Sequence, residues 1–331
     1  MKITIRTTKT VLVAGGTGYV GGRLVQHLAQ AGWRVLVGTR HMPIVSPAWI
    51  PTNSKFVELH FRGNQENTSP DIDLNGEIID AIVNLVAVNE NIAARNPNLA
   101  FEVATVAVRS LANLAASQPN CRFVQLSTAH VYGSPLVGDI SEEIEPVPGH
   151  PYSSAHRAAE LELLKSTLEN IAILRLSNSV GSPAYAGVDR WSLLANDLAN
   201  QAVVNRRMVL KTTGIQQRDF IALKEVCRAV EFILDTPSLG SGCVMNLGSG
   251  QSMSVYEMAM NIAEIAESLL GYHPELIAPK AQQGEVAKHL NFQVERLSSF
   301  GFQPQQSLDS EIKSLLLFCQ QAALEGITLG P

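Results

Sequence analysis

A strand-length apolar run at 11–14 breaks at once into five glycines, Gly15, Gly16, Gly18, Gly21 and Gly22, and then continues as a helical pattern over 21–31. Few folds have a use for that junction. The turn must be tight, and the helix must start close against the strand it leaves. A second strand pattern at 35–38 follows, so the segment reads as a βαβ unit with a right-handed crossover. The helix that opens on these glycines offers backbone N–H groups and a partial positive charge, which together make a phosphate site. Charge agrees: no Asp or Glu precedes Glu58, whereas Lys2, Arg6, Lys9, Arg23, Arg34, Arg40 and Lys55 are present. An anionic ligand on this segment accounts for the run, and a solvated basic face is the alternative.

The alternation continues through the first half. Apolar, β-branched runs of strand length occupy 55–59, 81–87, 122–127 and 171–176, with helical spacing over 99–117 and 153–170. Continuous apolar runs mark strands buried on both faces. The expected fold class is therefore α/β, a Rossmann-type doubly wound parallel sheet. The 99–117 helix is apolar nearly all round, which implies cover by the sheet on one side and, in a homodimer, by a second subunit on another. After about Asn178, loops rich in Gly, Pro and Ser separate helical patterns over 193–203, 223–234 and 255–269. The expected organisation is an NAD(P)-binding Rossmann domain over 1–177 and a smaller α/β, mainly substrate-binding lobe over 178–331.

Bulk properties exclude several classes. A chain of 331 residues, 46% hydrophobic and 17% charged, is globular rather than disordered. A net charge of −5 gives no reason to expect nucleic acid or an anionic membrane as partner. No run approaches the roughly 20 uninterrupted apolar residues that span a bilayer. The polar start, 1–10, lacks the apolar core of a signal peptide, so the cytoplasm is the expected compartment. Cys121, Cys227, Cys243 and Cys319 form no Cys-x-x-Cys pair and have no His at metal spacing. Buried thiols, rather than a disulfide framework or a metal site, are expected.

The glycine junction, with strands before and after it, points to a dinucleotide. Where NAD-selective sites end the second strand in a carboxylate that binds the ribose 2′-hydroxyl, this chain has Gly38-Thr39-Arg40-His41. Thr39 stands in the carboxylate's place. A guanidinium beside it suits a 2′-phosphate, so NADP is favoured over NAD. An ordinary surface arginine, in a site that takes either cofactor, is the alternative.

Ser127-Thr128-Ala-His-Val-Tyr-Gly133 follows a strand, and Pro151-Tyr152-Ser-Ser-Ala-His156-Arg-Ala-Ala-Glu160 opens a helix. With these segments the chain resembles the extended short-chain dehydrogenase/reductases, the NAD(P)-dependent epimerases and dehydratases of nucleotide-activated sugars. The likeness extends through 173–183, Arg218-Asp-Phe-Ile221 and Asn246-Leu-Gly-Ser-Gly250 to at least Glu257. It implies that Thr128 and the Tyr152 phenol both bond the substrate oxygen at the carbon that exchanges hydride. A phenol can supply or remove the proton that must accompany that hydride. It also implies cofactor contacts from Gly15, Gly18, Tyr19, Val20, Gly21, Arg40, Asn64 and Ala87. On the substrate side it implies Arg218 on the nucleotide diphosphate and Asn178 near the sugar or its phosphates. For Arg218 a surface ion pair with Asp219 or Glu225 is the alternative.

His156 is the largest departure, because the family has lysine there. That lysine holds the nicotinamide ribose and by its charge lowers the tyrosine pKa, which for a free phenol lies near 10. Imidazole, with an ordinary pKa near 6.5, is only partly charged at neutral pH. Two readings follow: an enzyme with a weakened or pH-shifted tyrosine, or a fold that keeps its cofactor as a sensor or scaffold and has lost fast chemistry. Asn64, Asn84, Val86 and Thr105 are smaller departures from the family pattern. The expected reaction is reduction of a 4-keto-sugar nucleotide or C4 epimerisation through a transient ketone.

Overall fold

The computed structural model describes residues 8–61, 72, 74, 76–237, 239, 242–281 and 283–330. In chain order its elements are β1 (Thr10–Ala14), α1 (Tyr19–Gln30), β2 (Arg34–Thr39), β3 (Ser54–Glu58), β4 (Ala81–Asn84), α2 (Glu90–Arg95), α3 (Pro97–Ala116), β5 (Arg122–Thr128), β6 (Gly138–Ile140), α4 (Pro151–Leu164), β7 (Ile171–Leu176) and β8 (Asn178–Val180). There follow α5 (Leu194–Asn205), β9 (Arg207–Val209), β10 (Gln217–Ala222), α6 (Leu223–Asp235), β11 (Cys243–Leu247), β12 (Ser252–Ser254), α7 (Val255–Leu270), β13 (Glu275–Ile277), β14 (Leu290–Phe292), α8 (Glu295–Ser299) and α9 (Leu308–Leu324). A 3-10 turn, Ala129–Tyr132, follows β5 directly.

Two compact units interleave along the sequence. The first comprises the chain up to Ser134, Glu145–Arg175 and Cys227–Met245; the second comprises Pro135–Ile144, Leu176–Val226 and the chain from Asn246 on. The single cut expected at residue 177 therefore misses two exchanges, a strip before α4 and the segment 227–245.

The first unit carries a seven-stranded sheet of order β3-β2-β1-β4-β5-β7-β11. β1 runs parallel to both β2 and β4, and β3 and β5 continue the parallel pairing on either side. Strand order thus reverses between β1 and β4, the place where doubly wound sheets open a crevice at their carboxyl ends. β1, β4, β5 and β7 are buried along their whole lengths, as continuous apolar runs require. By length and mean hydropathy α3 could cross a bilayer, a property that a search for uninterrupted apolar runs passes over. Here its Ala100, Ala104, Val108, Leu111 and Ala115 pack into the sheet core with Leu12, Ile82 and Phe123.

The second unit holds a three-stranded sheet, β12-β10-β8, and two strand pairs, β13–β9 and β14–β6. Its core joins α5, α7 and α9 through Leu198, Ala202, Met258, Ile262, Ile312, Leu315 and Cys319. Among the described residues the four cysteines form no disulfide; Cys121, Cys227 and Cys319 are buried, and Cys243, expected to be buried, is only half-buried. Burial pushes the thiols of Cys121 and Cys319 up to about 12, which leaves them inert packing groups.

Candidate active site

The glycine junction has the geometry that its sequence requires. Gly15 adopts φ +81, and a Cβ there would stand 3.1 Å from the Leu85 carbonyl carbon, just past the end of β4. At Gly21 a Cβ would fall 2.1 Å from the Gly15 carbonyl oxygen and 2.9 Å from the Gly16 Cα. α1 therefore lies directly against the turn, which closes with Gly18 N–H on Gly15 O at 3.0 Å. Gly18 caps α1 without a side chain, and no acidic residue sits in the first turn. A turn in which a Cβ at Gly21 would collide with backbone and one at Gly15 would crowd it, at a helix N-terminus free of carboxylates, fits a pyrophosphate. Tyr19 is buried in the first turn of α1 and Val20 half-buried beside it; Ala87 is half-buried in the loop after β4. Asn64 lies outside the described residues.

At the end of β2 the Thr39 hydroxyl bonds the backbone of His41, donating to its carbonyl at 3.1 Å and accepting from its N–H at 3.4 Å. This turn presents Arg40 to solvent. Among the described residues no hydrogen bond or ion pair engages its guanidinium. The sheet adds a group that local sequence did not place there: Glu58 on β3 stands in register with Thr39. Glu58 is exposed and bridged by His60 at 3.3 Å.

Thr128 ends β5, buried, and its Oγ1 accepts from His130 N–H at 3.3 Å to cap the 3-10 turn. Tyr152 lies in the first turn of α4. His150 caps that helix, its Nδ1 accepting from the Tyr152 N–H at 3.1 Å, and the Ser153 hydroxyl completes a capping box. One helical turn on, the buried His156 ring meets the Tyr152 ring edge-on, with centroids 4.5 Å apart. α4 packs against β5 and the 3-10 turn, so the Thr128 and Tyr152 elements adjoin within one unit.

Below them lies a charged cluster that the sequence pattern did not flag. Glu160, fully buried on α4, accepts from the Ser127 hydroxyl at 2.6 Å, from Arg175 Nε at 3.0 Å and Nη2 at 2.8 Å, and from Arg157 Nη1 at 3.0 Å. Burial pushes its carboxyl up, but the bonds and charge of Arg175, with Ser127 and Arg157, win and hold it below the usual carboxylate range. Its signal in the sequence is a glutamate two turns beyond Tyr152 on the face shared with His156.

Asn178 and Arg218 lie in the second unit on the adjacent strands β8 and β10, where Asn178 is in register with Phe220, two residues beyond Arg218. The Asn178 amide donates to the Asp219 carbonyl at 2.8 Å, so part of its hydrogen-bonding capacity is committed to the strand pair. Asp219 is buried and takes bonds from the Ser177 hydroxyl at 2.5 Å and from Ser249 N–H at 2.9 Å and Oγ at 2.8 Å. Burial still raises its pKa. The Glu225 carboxylate accepts from Gln306 N–H. Neither acid pairs with Arg218, which has no ion pair among the described residues and whose pKa burial lowers.

A parallel sheet whose order reverses at β1, joined there to a helix through glycines that leave little or no room for a Cβ, defines a dinucleotide-binding Rossmann protein. The model of the NAD dependent epimerase/dehydratase family matches residues 11–248, and the chain belongs to that family. It is 26% identical over 301 residues to UDP-glucose 4-epimerase 4 of Oryza sativa, a match spanning 83% of this chain and 80% of that one. Its fold is similar to that of an epimerase from Methanothermobacter thermautotrophicus, with TM-score 0.78, 21% identity, and 96% and 94% of the two chains covered. It is also similar to that of RMD from Pseudomonas aeruginosa complexed with NADPH, with TM-score 0.71, 21% identity, and 95% and 99% covered.

Proposed function

We propose that the chain is an NADP(H)-using enzyme that reduces a 4-keto-sugar nucleotide or epimerises a nucleotide sugar at C4. The observation that carries the chemistry is the adjoining of Thr128, at the end of β5, and Tyr152, in the first turn of a helix bonded to that strand through Ser127 and Glu160. When bound, the nicotinamide supplies the hydride exchange. Tyr152 gives or takes the proton at the substrate oxygen, Thr128 donates a hydrogen bond to the same oxygen, and His156, edge-on to the Tyr152 ring, orients the nicotinamide ribose. For substrate class the support is Arg218, a partly buried guanidinium with no carboxylate partner among the described residues. Such a fork suits the two oxygens of a diphosphate.

The decisive assay incubates the protein with UDP- and dTDP-linked hexoses and oxidised NADP or NAD, and with their 4-keto forms and NADPH or NADH. Turnover of at least one is expected, and His156→Lys should raise it several-fold near neutral pH while moving the rate profile toward acid. The cause is a permanent cation beside the phenol in place of an imidazole. Tight cofactor binding with no turnover by either form would favour the sensor or scaffold reading instead. No relative named above speaks for that reading.

Cofactor choice rests on Arg40. Arg40→Ala should weaken NADPH binding about 10- to 100-fold, the value of a charged hydrogen-bonded pair at about 1.5–3 kcal/mol. NADH binding should change less than about twofold, the ordinary scatter for a surface substitution. Equal loss of both in titration calorimetry would remove the 2′-phosphate argument and turn attention to Glu58. The proposal also includes a cytoplasmic homodimer through α3 and α4, which expose Leu99, Phe101, Leu161 and Leu164. A sedimentation mass of one 35.8 kDa chain would refute the dimer.

A further inference from the structure

We infer that Glu160 is a positioning residue, which sets Thr128 against Tyr152 by gripping the strand of one from the helix of the other. The inference rests on the roles just proposed for those two residues. Tyr152, His156 and Glu160 recur at four-residue intervals on α4 and so share one face of the helix. From that face the Glu160 carboxylate reaches two strands of the sheet. Oε1 takes the Ser127 hydroxyl, the residue immediately before Thr128, and both oxygens take the Arg175 fork on β7. Arg157 adds a bond to Oε2 from the same helix. Four donors thus converge on the two oxygens, so the group is fully used as a fixture and is not poised to move a proton.

The far side of Thr128 is held by the same cluster. The Arg175 guanidinium lies over the Tyr132 ring at 4.7 Å, and Tyr132 closes the 3-10 turn that Thr128 caps. Ser127 before Thr128 and Tyr132 after it are therefore both tied, directly or through Arg175, to the one carboxylate. Glu160, Ser127 and Arg175 are all buried, so water cannot replace a lost partner at low cost. The placement of a catalytic oxygen matters on the scale of an ångström, where misplacement costs on the order of 100-fold in rate.

The test uses Ser127→Ala, the mildest cut, with Glu160→Gln as the stronger one, each read in two ways. In steady-state kinetics Ser127→Ala should lower kcat by about 10- to 100-fold while KM and the NADPH dissociation constant stay within about twofold. In hydrogen exchange the amides of 128–133 should open at least tenfold faster, while those of the glycine turn, 15–22, stay as in the wild type. A kcat within twofold of wild type in a folded Ser127→Ala protein would overturn the inference. So would unchanged exchange at 128–133. If the wild type turns over no nucleotide sugar, the proposed function falls, and the exchange experiment still decides whether Glu160 fixes the Thr128 segment.

Discussion

Tyr152→Phe is expected to lower turnover by about 10²- to 10⁴-fold, the range for removing a positioned general acid or base. That loss corresponds to about 2.7–5.5 kcal/mol of transition-state stabilisation. The variant tests the hydroxyl alone. The Tyr152 ring packs on the His156 ring at 4.5 Å and against the sheet core, and phenylalanine keeps both contacts. The helix start is held by backbone and cap, with His150 Nδ1 on the Tyr152 N–H, and the substitution leaves those bonds intact. Thermal stability and NADPH affinity should therefore match the wild type. The pH dependence of the residual rate should lose the limb that belongs to the phenol. A variant that keeps more than a tenth of the wild-type kcat would show that another group carries the proton.

The parts of this fold that depend on local pattern were legible in the sequence. The runs at 11–14, 35–38, 122–127 and 171–176 become strands within a residue or so of their expected ends, because a strand buried on both faces needs uninterrupted apolar residues. Polar side chains ended elements where hydrophobicity alone could not. β4 stops at Asn84, whose amide donates to Gln125 at 2.8 Å and accepts from the Val86 N–H at 3.1 Å, although the apolar run continues to Ala87. α4 stops at Leu164, where the Ser166 hydroxyl and N–H both turn back to the Leu163 carbonyl, well short of the expected Asn170. α9 carries its own local signal: Ser307 caps it, and Ile312, Leu315, Leu316 and Cys319 recur at helical spacing.

Long-range partnerships were not legible. Nothing local tells that β6, in the strip before α4, pairs with β14 some 150 residues later. Nor does anything local tell that Glu58 lies level with Thr39. For the candidate site, the family resemblance singled out Thr128, Tyr152 and Arg218 as candidates, because their side chains carry the chemistry the family uses. Glu160, Ser127 and Asp219 take hydrogen-bonding roles that no local pattern shows, because those roles exist only once separate segments meet. A buried acid is an energetic liability until its donors arrive from elsewhere in the chain.

Gly21→Ala is the second large effect. The added methyl would be placed 2.1 Å from the Gly15 carbonyl oxygen and 2.9 Å from the Gly16 Cα, and both obstacles are backbone. No rotamer can relieve the contact, so either α1 lifts from the turn or the turn itself deforms. Overpacking of this kind costs about 1–3 kcal/mol, a loss of about 2–12 °C in melting temperature for a unit of this size. The loss of cofactor should be greater, at least 100-fold in NADPH affinity, because the displaced atoms are the ones that would face the pyrophosphate. Gly32→Ala separates the two effects. Gly32, unlike Gly21, has a positive φ, +90, and a Cβ there meets nothing within 4 Å. That variant carries backbone strain without touching the turn, so it should lower stability by about 1 kcal/mol and bind NADPH as the wild type does. If Gly21→Ala bound NADPH as tightly as Gly32→Ala, the dinucleotide would not lie on this junction. The proposed chemistry would then lose its cofactor.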